Sequence, residues 1–166
     1  MELLVDRAGE PRMIKNCKKR GEWAELVFAM RAIERGLHLG RPWGESSGYD
    51  FTVDQGERIV RVQVKSTIFK EGEEGYSCTL KDSKGPYKKG TFEFVAAYVI
   101  PEDVWFILPE KKIRGVWSVG LYPKLETAKY RGIRRRGICC EERGQGRLIG
   151  FRLARSGRCA GFGTPW

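Results

Sequence analysis

The sequence predicts a mixed α/β (α+β) domain in which one long helix precedes a series of short strands. Three features of the chain support this. Apolar residues step by three and four between Glu22 and Leu37, the period of a helix. From Tyr49 to Lys65 the period falls to two around a central turn signal, the pattern of a β-ribbon. Phe92–Ile100 and Val104–Leu108 are apolar runs of strand length, separated by Pro101-Glu102-Asp103.

A chain of 166 residues suits one domain with a real core. Its hydrophobic share of 41% is that of a soluble globular protein. It has no apolar run of about 18 residues, so no membrane span is expected. The first twenty residues lack the apolar segment of a secretory signal. The five cysteines (Cys17, Cys78, Cys139, Cys140, Cys159) form no C-x-x-C pair and are odd in number. They read as free thiols in a reducing, cytoplasmic setting and give a zinc site no support. The net charge of +10 favours a polyanionic partner. Its distribution weakens that argument, because residues 131–166 hold nine Arg against two Glu. A basic tail alone is ordinarily a solvated segment.

Residues 1–18 read as an N-terminal arm, 19–130 as the folded domain and 131–166 as a Gly/Arg-rich basic tail with poor order. In the helix, Trp23, Leu26, Val27, Met30, Ile33 and Leu37 form the expected buried stripe. Ala24, Phe28 and Ala29 widen it, and Gly36 supplies the stop. Glu22 and Glu25 stand out on so apolar a helix. Either they need a partner or a metal, or they sit in the first turn, where the helix dipole favours them. His38, the only histidine, has no partner in view and reads as structural, which leaves little room for His-based catalysis. The loop Arg41–Gly48 runs into Asp50 and should form the rim of any site there.

In the ribbon, Tyr49–Val53 and Arg58–Lys65 are strands joined by Asp54-Gln55-Gly56-Glu57. Val60, Val62 and Val64 face the core, and Ile59, Arg61, Gln63 and Lys65 face the other way. Centring the turn on Gln55-Gly56 pairs Val53 with Arg58 and Asp50 with Arg61. Asp50 is then diagonal to Gln63, about 7–8 Å away. One face so gathers a carboxylate, an amide and a lysine. Asp, Gln and backbone oxygens are hard ligands that suit Mg²⁺. A neighbouring lysine can stabilise a phosphate in flight or help deprotonate water. A plainer alternative is an Asp50–Lys65 ion pair.

Tyr76–Leu80 reads as a third strand. The loop that follows carries Lys81, Lys84, Lys88 and Lys89 around Tyr87, and is either a grip on a sugar-phosphate backbone or a solvated turn. Phe94, Tyr98, Trp105 and Phe106 read as core. Ile113–Val119 suits an edge strand and Leu121–Tyr130 a short helix. From Arg131 the periodicity dissolves. Arg134, Arg135 and Arg136 are a weak nucleic-acid candidate. There is no repeat, Walker A loop or G-x-G-x-x-G.

The order of R-G-E-W-A-E-L, S-G-Y-D-F-T-V-D, R-V-Q-V-K-S-T and F-V-A-A-Y-V-I-P-E-D-V-W-F-I-L-P resembles the PD-(D/E)XK nuclease superfamily. It is most similar to the branch related to group I intron homing endonucleases, and more distantly to archaeal Holliday-junction resolvases. The likeness covers about Lys19 to Pro109. It implies a restriction-endonuclease-like αβββαβ core with a central mixed sheet flanked by helices. It matches Asp50 to the metal-binding aspartate, Lys65 to the motif lysine and Glu25 to the helix glutamate. Gln63 stands where most relatives carry an acid, as in the intron-endonuclease branch. The implied ligand set is Asp50, Glu25, Gln63 and the Val64 carbonyl around Mg²⁺ or Mn²⁺. The implied activity is endonucleolytic hydrolysis of DNA, with Lys65 assisting the attacking water. The alternative is a catalytically silent nucleic-acid-binding domain of the same fold. Such nucleases are commonly dimers or tetramers when two strands must be cut, so a homo-oligomer is compatible. Tyr49 departs from the proline of the superfamily's name, and the Gly/Arg-rich tail does not look like the family's continuation.

Overall fold

The structure, a computed structural model, describes residues 14–44, 46–82 and 85–125 and the backbone of Ile133–Arg134. The N-terminal arm up to residue 13 and most of the tail lie outside the described residues.

Helix α1 spans Cys17–Ile33. Asn16 caps it, its side-chain oxygen accepting the Lys19 N–H at 3.0 Å. Beyond its end, Gly36 adopts φ +73°. That left-handed residue lets the Leu37 N–H reach back to the Ala32 carbonyl at 3.1 Å, closing the helix as expected. The predicted stripe is borne out in part: Trp23, Val27, Ala29 and Leu37 pack against the core beside buried Ala24 and Phe28. Arg20, Ala24, Phe28 and Ala32 are buried at four-residue steps, whereas Leu26 (64%), Met30 (49%) and Ile33 (61%) are exposed. Only one side of the helix is covered, since apolar letters occupy both sides and the burial follows the row that meets the sheet.

Strands β1 (His38–Gly40), β2 (Phe51–Asp54) and β3 (Ile59–Thr67) follow. After them come β4 (Lys70–Glu71), β5 (Gly75–Thr79), β6 (Lys81–Asp82) and β7 (Gly85–Pro86). The chain then forms β8 (Phe94–Val99), β9 (Val104–Pro109), the single-turn α2 (Glu110–Ile113), β10 (Ser118–Leu121) and β11 (Ile133–Arg134). Six strands make the central sheet in the order β1-β2-β3-β8-β9-β11. Only β3 and β8 run parallel, so the sheet is mixed, as predicted. A second sheet, β10-β5-β4, is separately hydrogen-bonded and packs against one face of the first.

Two apolar layers hold these parts together. On one face, Ala24 and Phe28 of α1 pack with Phe51, Val53, Val60, Val62, Val64 and alternate residues of β8. On the other, Val95, Ala97 and Val99 meet Tyr76, Cys78, Val119 and Leu121 of the smaller sheet. Each face of β8 thus serves one layer, and all six of its residues are buried. Tyr98 and Trp105 stack at 4.3 Å within the first layer, confirming them as core.

The ribbon register is corrected by two residues. Val53 pairs with Val60 and Thr52 with Arg61. The connection is a longer loop, in which Gly56 (φ +84°) donates its N–H to the Asp54 carboxylate at 2.7 Å. Leu121 ends a strand and Tyr122 begins a turn, so no helix starts at Leu121; residues 126–130 lie outside the described residues. The predicted strand at Ile113–Val119 instead begins at Ser118, after α2.

Candidate active site

Asp50 immediately precedes β2, and its N–H bonds to the Val62 carbonyl at 3.0 Å. The corrected register places it opposite Gln63 rather than diagonal to it. Its Oδ2 accepts the Val64 N–H and the Gln63 Nε2, each at 2.6 Å. Burial pushes its carboxyl above the usual range. The Val64 N–H, the Lys65 charge, Gln63 and Arg41 oppose that without cancelling it.

Glu25 lies deep inside α1. The helix begins at Cys17 and has no acid in its first turn, so the dipole reading of Glu22 and Glu25 fails. Glu22 is exposed. Glu25 is held above its ordinary value first by burial and then by the negative charge of Asp50; Arg41 and Lys65 act against both. Arg41, from the rim loop, bonds Glu25 Oε2 at 3.0 Å.

Lys65 follows on β3 from Gln63, which is 8% exposed. Its ammonium lies 3.4 Å from the Lys81 carbonyl and 5.2 Å from the Tyr87 ring centre. Among the described residues it makes no ion pair, so the Asp50–Lys65 pair does not form. Its charge still acts on both Asp50 and Glu25. Glu25, Gln63, Val64 and Lys65 line one cleft of about 340 Å³. Asp50 is not among its lining residues but is bonded to two of them, Gln63 and Val64. The four predicted side chains therefore converge.

The donors fit a hard divalent cation. Among the described residues no three His, Cys, Asp or Glu side chains cluster. A cation would then rest on two carboxylates, the Val64 carbonyl and the Gln63 amide oxygen, whose nitrogen is committed to Asp50. Two desolvated acids, one of which (Asp50) disfavours the charge of the other, are stabilised by such an ion. An all-oxygen set suits Mg²⁺ or Mn²⁺ rather than a soft metal.

Of the basic candidates, Lys81 lies beside the cleft with its ammonium 5.0 Å from the Trp117 ring centre. Lys88 and Lys89 are exposed on the loop that follows β7. Lys84, Arg135, Arg136 and the side chain of Arg134 lie outside the described residues. Sequence reasoning did not single out Arg41, Arg20, Phe69 or Trp117. Only position next to a motif could have flagged Arg41 and Arg20.

Glu25 of the helix and Gln63, Val64 and Lys65 of β3 thus line one cleft in a mixed α/β domain. The chain belongs to the PD-(D/E)XK endonuclease family, whose family model matches residues 15–135. Among solved structures it is similar to I-Ssp6803I, a bacterial homing endonuclease. That likeness has a TM-score of 0.58 and 24% identity over 70% of this chain and 83% of the other. No curated protein matches the sequence.

Proposed function

We propose that this protein is a divalent-metal-dependent endonuclease that hydrolyses phosphodiester bonds in DNA. The observation that carries the reading is one cleft lined by Glu25, Gln63, Val64 and Lys65, with Asp50 hydrogen-bonded to Gln63 and Val64. Glu25, Asp50, Gln63 and the Val64 carbonyl would hold Mg²⁺ or Mn²⁺. The cation, when bound, would polarise a phosphoryl oxygen and acidify water. The protein's own part is positional. The Val64 N–H and Gln63 amide orient Asp50, leaving its second oxygen for a ligand. Lys65 holds the attacking water or the developing phosphate charge. Arg41 pairs with Glu25 here, and with a cation held by Glu25 its guanidinium would be free to take a phosphate. DNA as substrate is supported by the family and by a structural neighbour that is a homing endonuclease.

The ion pair between Arg41 and Glu25 also favours a second reading, a catalytically silent DNA-binding domain whose helix acid is permanently satisfied. Supercoiled plasmid separates the two. The enzyme nicks it with Mg²⁺ and not with chelator, and Asp50→Ala abolishes the nicking. A parent protein that binds plasmid but leaves it intact in Mg²⁺ and in Mn²⁺ is the silent domain.

A further inference from the structure

Arg20 is 6% exposed, yet among the described residues no carboxylate pairs with it. Its guanidinium donates to the Ile14 carbonyl at 3.1 Å and to Cys17 Sγ at 3.4 Å. Those two neutral contacts use two of the five N–H donors of an arginine. A buried cation without a counter-ion is costly, and it is the more informative because Arg20 lines the same cleft as Glu25 and Lys65. The guanidinium sits 5.8 Å from the ring centre of Phe69. Phe69 also lines the cleft but is 60% exposed. Its presentation is fixed. Its N–H bonds to Thr67 Oγ1 at 3.1 Å, and its carbonyl accepts the Ser77 N–H at 2.9 Å. Thr67 Oγ1 in turn donates to the Ser77 carbonyl at 2.5 Å. An exposed aromatic ring on pinned backbone, with a cation behind it, is a stacking platform.

We propose that Arg20 and Phe69 form a nucleotide subsite beside the catalytic cleft. Arg20 takes a phosphate next to the scissile one, and Phe69 stacks the attached base. Bases within an intact duplex do not offer a free face, so this subsite takes an unpaired nucleotide. The substrate class is then DNA with a gap, flap or locally opened segment at the cut. The proposal rests on the reading that the cleft takes a phosphodiester. It adds that Arg20 and Phe69 are positioning residues that select distorted DNA.

The test measures binding of the full chain in chelator, so that cleavage does not intervene. Two oligonucleotides of one sequence are compared, a gapped duplex with 2-aminopurine at the unpaired position and the fully paired duplex. The parent should prefer the gapped form by roughly five- to a hundredfold and quench its fluorescence. Phe69→Ala should lose both the preference and the quenching, and Phe69→Trp should keep them. Arg20→Met should weaken binding to the gapped form and lower the slope of log K against log salt by about 0.7 to 0.9. Because Arg20 is buried, Arg20→Lys serves as the folded control and should retain the slope. Equal binding of both DNAs by the parent overturns the proposal, as does an undiminished preference in Phe69→Ala. The plasmid assay is independent. Nicking without a gap preference sinks the subsite and leaves the nuclease, whereas a gap preference without nicking does the reverse.

Discussion

Asp50→Asn probes the site's energetics most sharply. The change is nearly isosteric and removes one charge. In the metal-free protein, burial outweighs the two 2.6 Å hydrogen bonds and the Lys65 charge, since the carboxyl is held above its ordinary value. The neutral form is therefore favoured by the fold. Asparagine still offers an oxygen to the Val64 N–H. Losing the charge-assisted part of the two bonds costs about 1 kcal/mol each. Relief of the buried charge more than offsets this, so in chelator the variant should melt above the parent. With Mg²⁺ at a hundred times its dissociation constant, the parent should gain about 2.7 kcal/mol and the variant nothing. Thermal melts with chelator and with Mg²⁺ read both effects. A variant that is less stable in chelator, or that is still stabilised by Mg²⁺, would refute the reasoning.

Lys65→Ala should fold normally and lower the nicking rate by about 10²–10³-fold, the usual cost of losing one group aimed at developing charge; parental nicking would remove its catalytic role. The raised Asp50 and Glu25 carboxyls fix the sign of the pH dependence. A folded state that holds protons more tightly than the unfolded chain loses stability as pH rises through the raised values. These two groups should thus make the metal-free protein less stable as pH rises from the ordinary carboxylate range through the raised values, while Mg²⁺ affinity increases over the same interval; melts and calorimetric titrations at several pH values check both. Phe28 is 1% exposed, with ring centres of Phe51 at 5.5 Å and Trp105 at 5.7 Å. Phe28→Ala should cost about 3–5 kcal/mol in denaturant unfolding and weaken metal binding, because it loosens the helix that carries Glu25.

The ribbon shows why the site was legible in the sequence when its register was not. Side chains alternate with period two, so a slip of two residues leaves every residue on its own face. Asp50, Gln63 and Lys65 were placed together although the turn was read too short. What the slip hid was the direct Asp50–Gln63 contact. The helix failed differently. Its existence and stop follow from period and Gly36, but its buried row is Arg20, Ala24, Phe28 and Ala32. Alanine marks no face and arginine argues against burial, so the larger Leu26, Met30 and Ile33 drew the stripe partly to the wrong side. Arg41 and Phe69 lie in segments without periodicity. Their roles depend on contacts with residues distant in sequence, which no local pattern encodes.

The central claim is that one cation bridges the helix acid and the ribbon acid. Calorimetric titration of Mn²⁺ into the parent, Glu25→Gln and Asp50→Asn tests it most directly. The account predicts a site in the parent that is lost or severely weakened in both variants. Parental affinity in Glu25→Gln, with the fold intact, would contradict it.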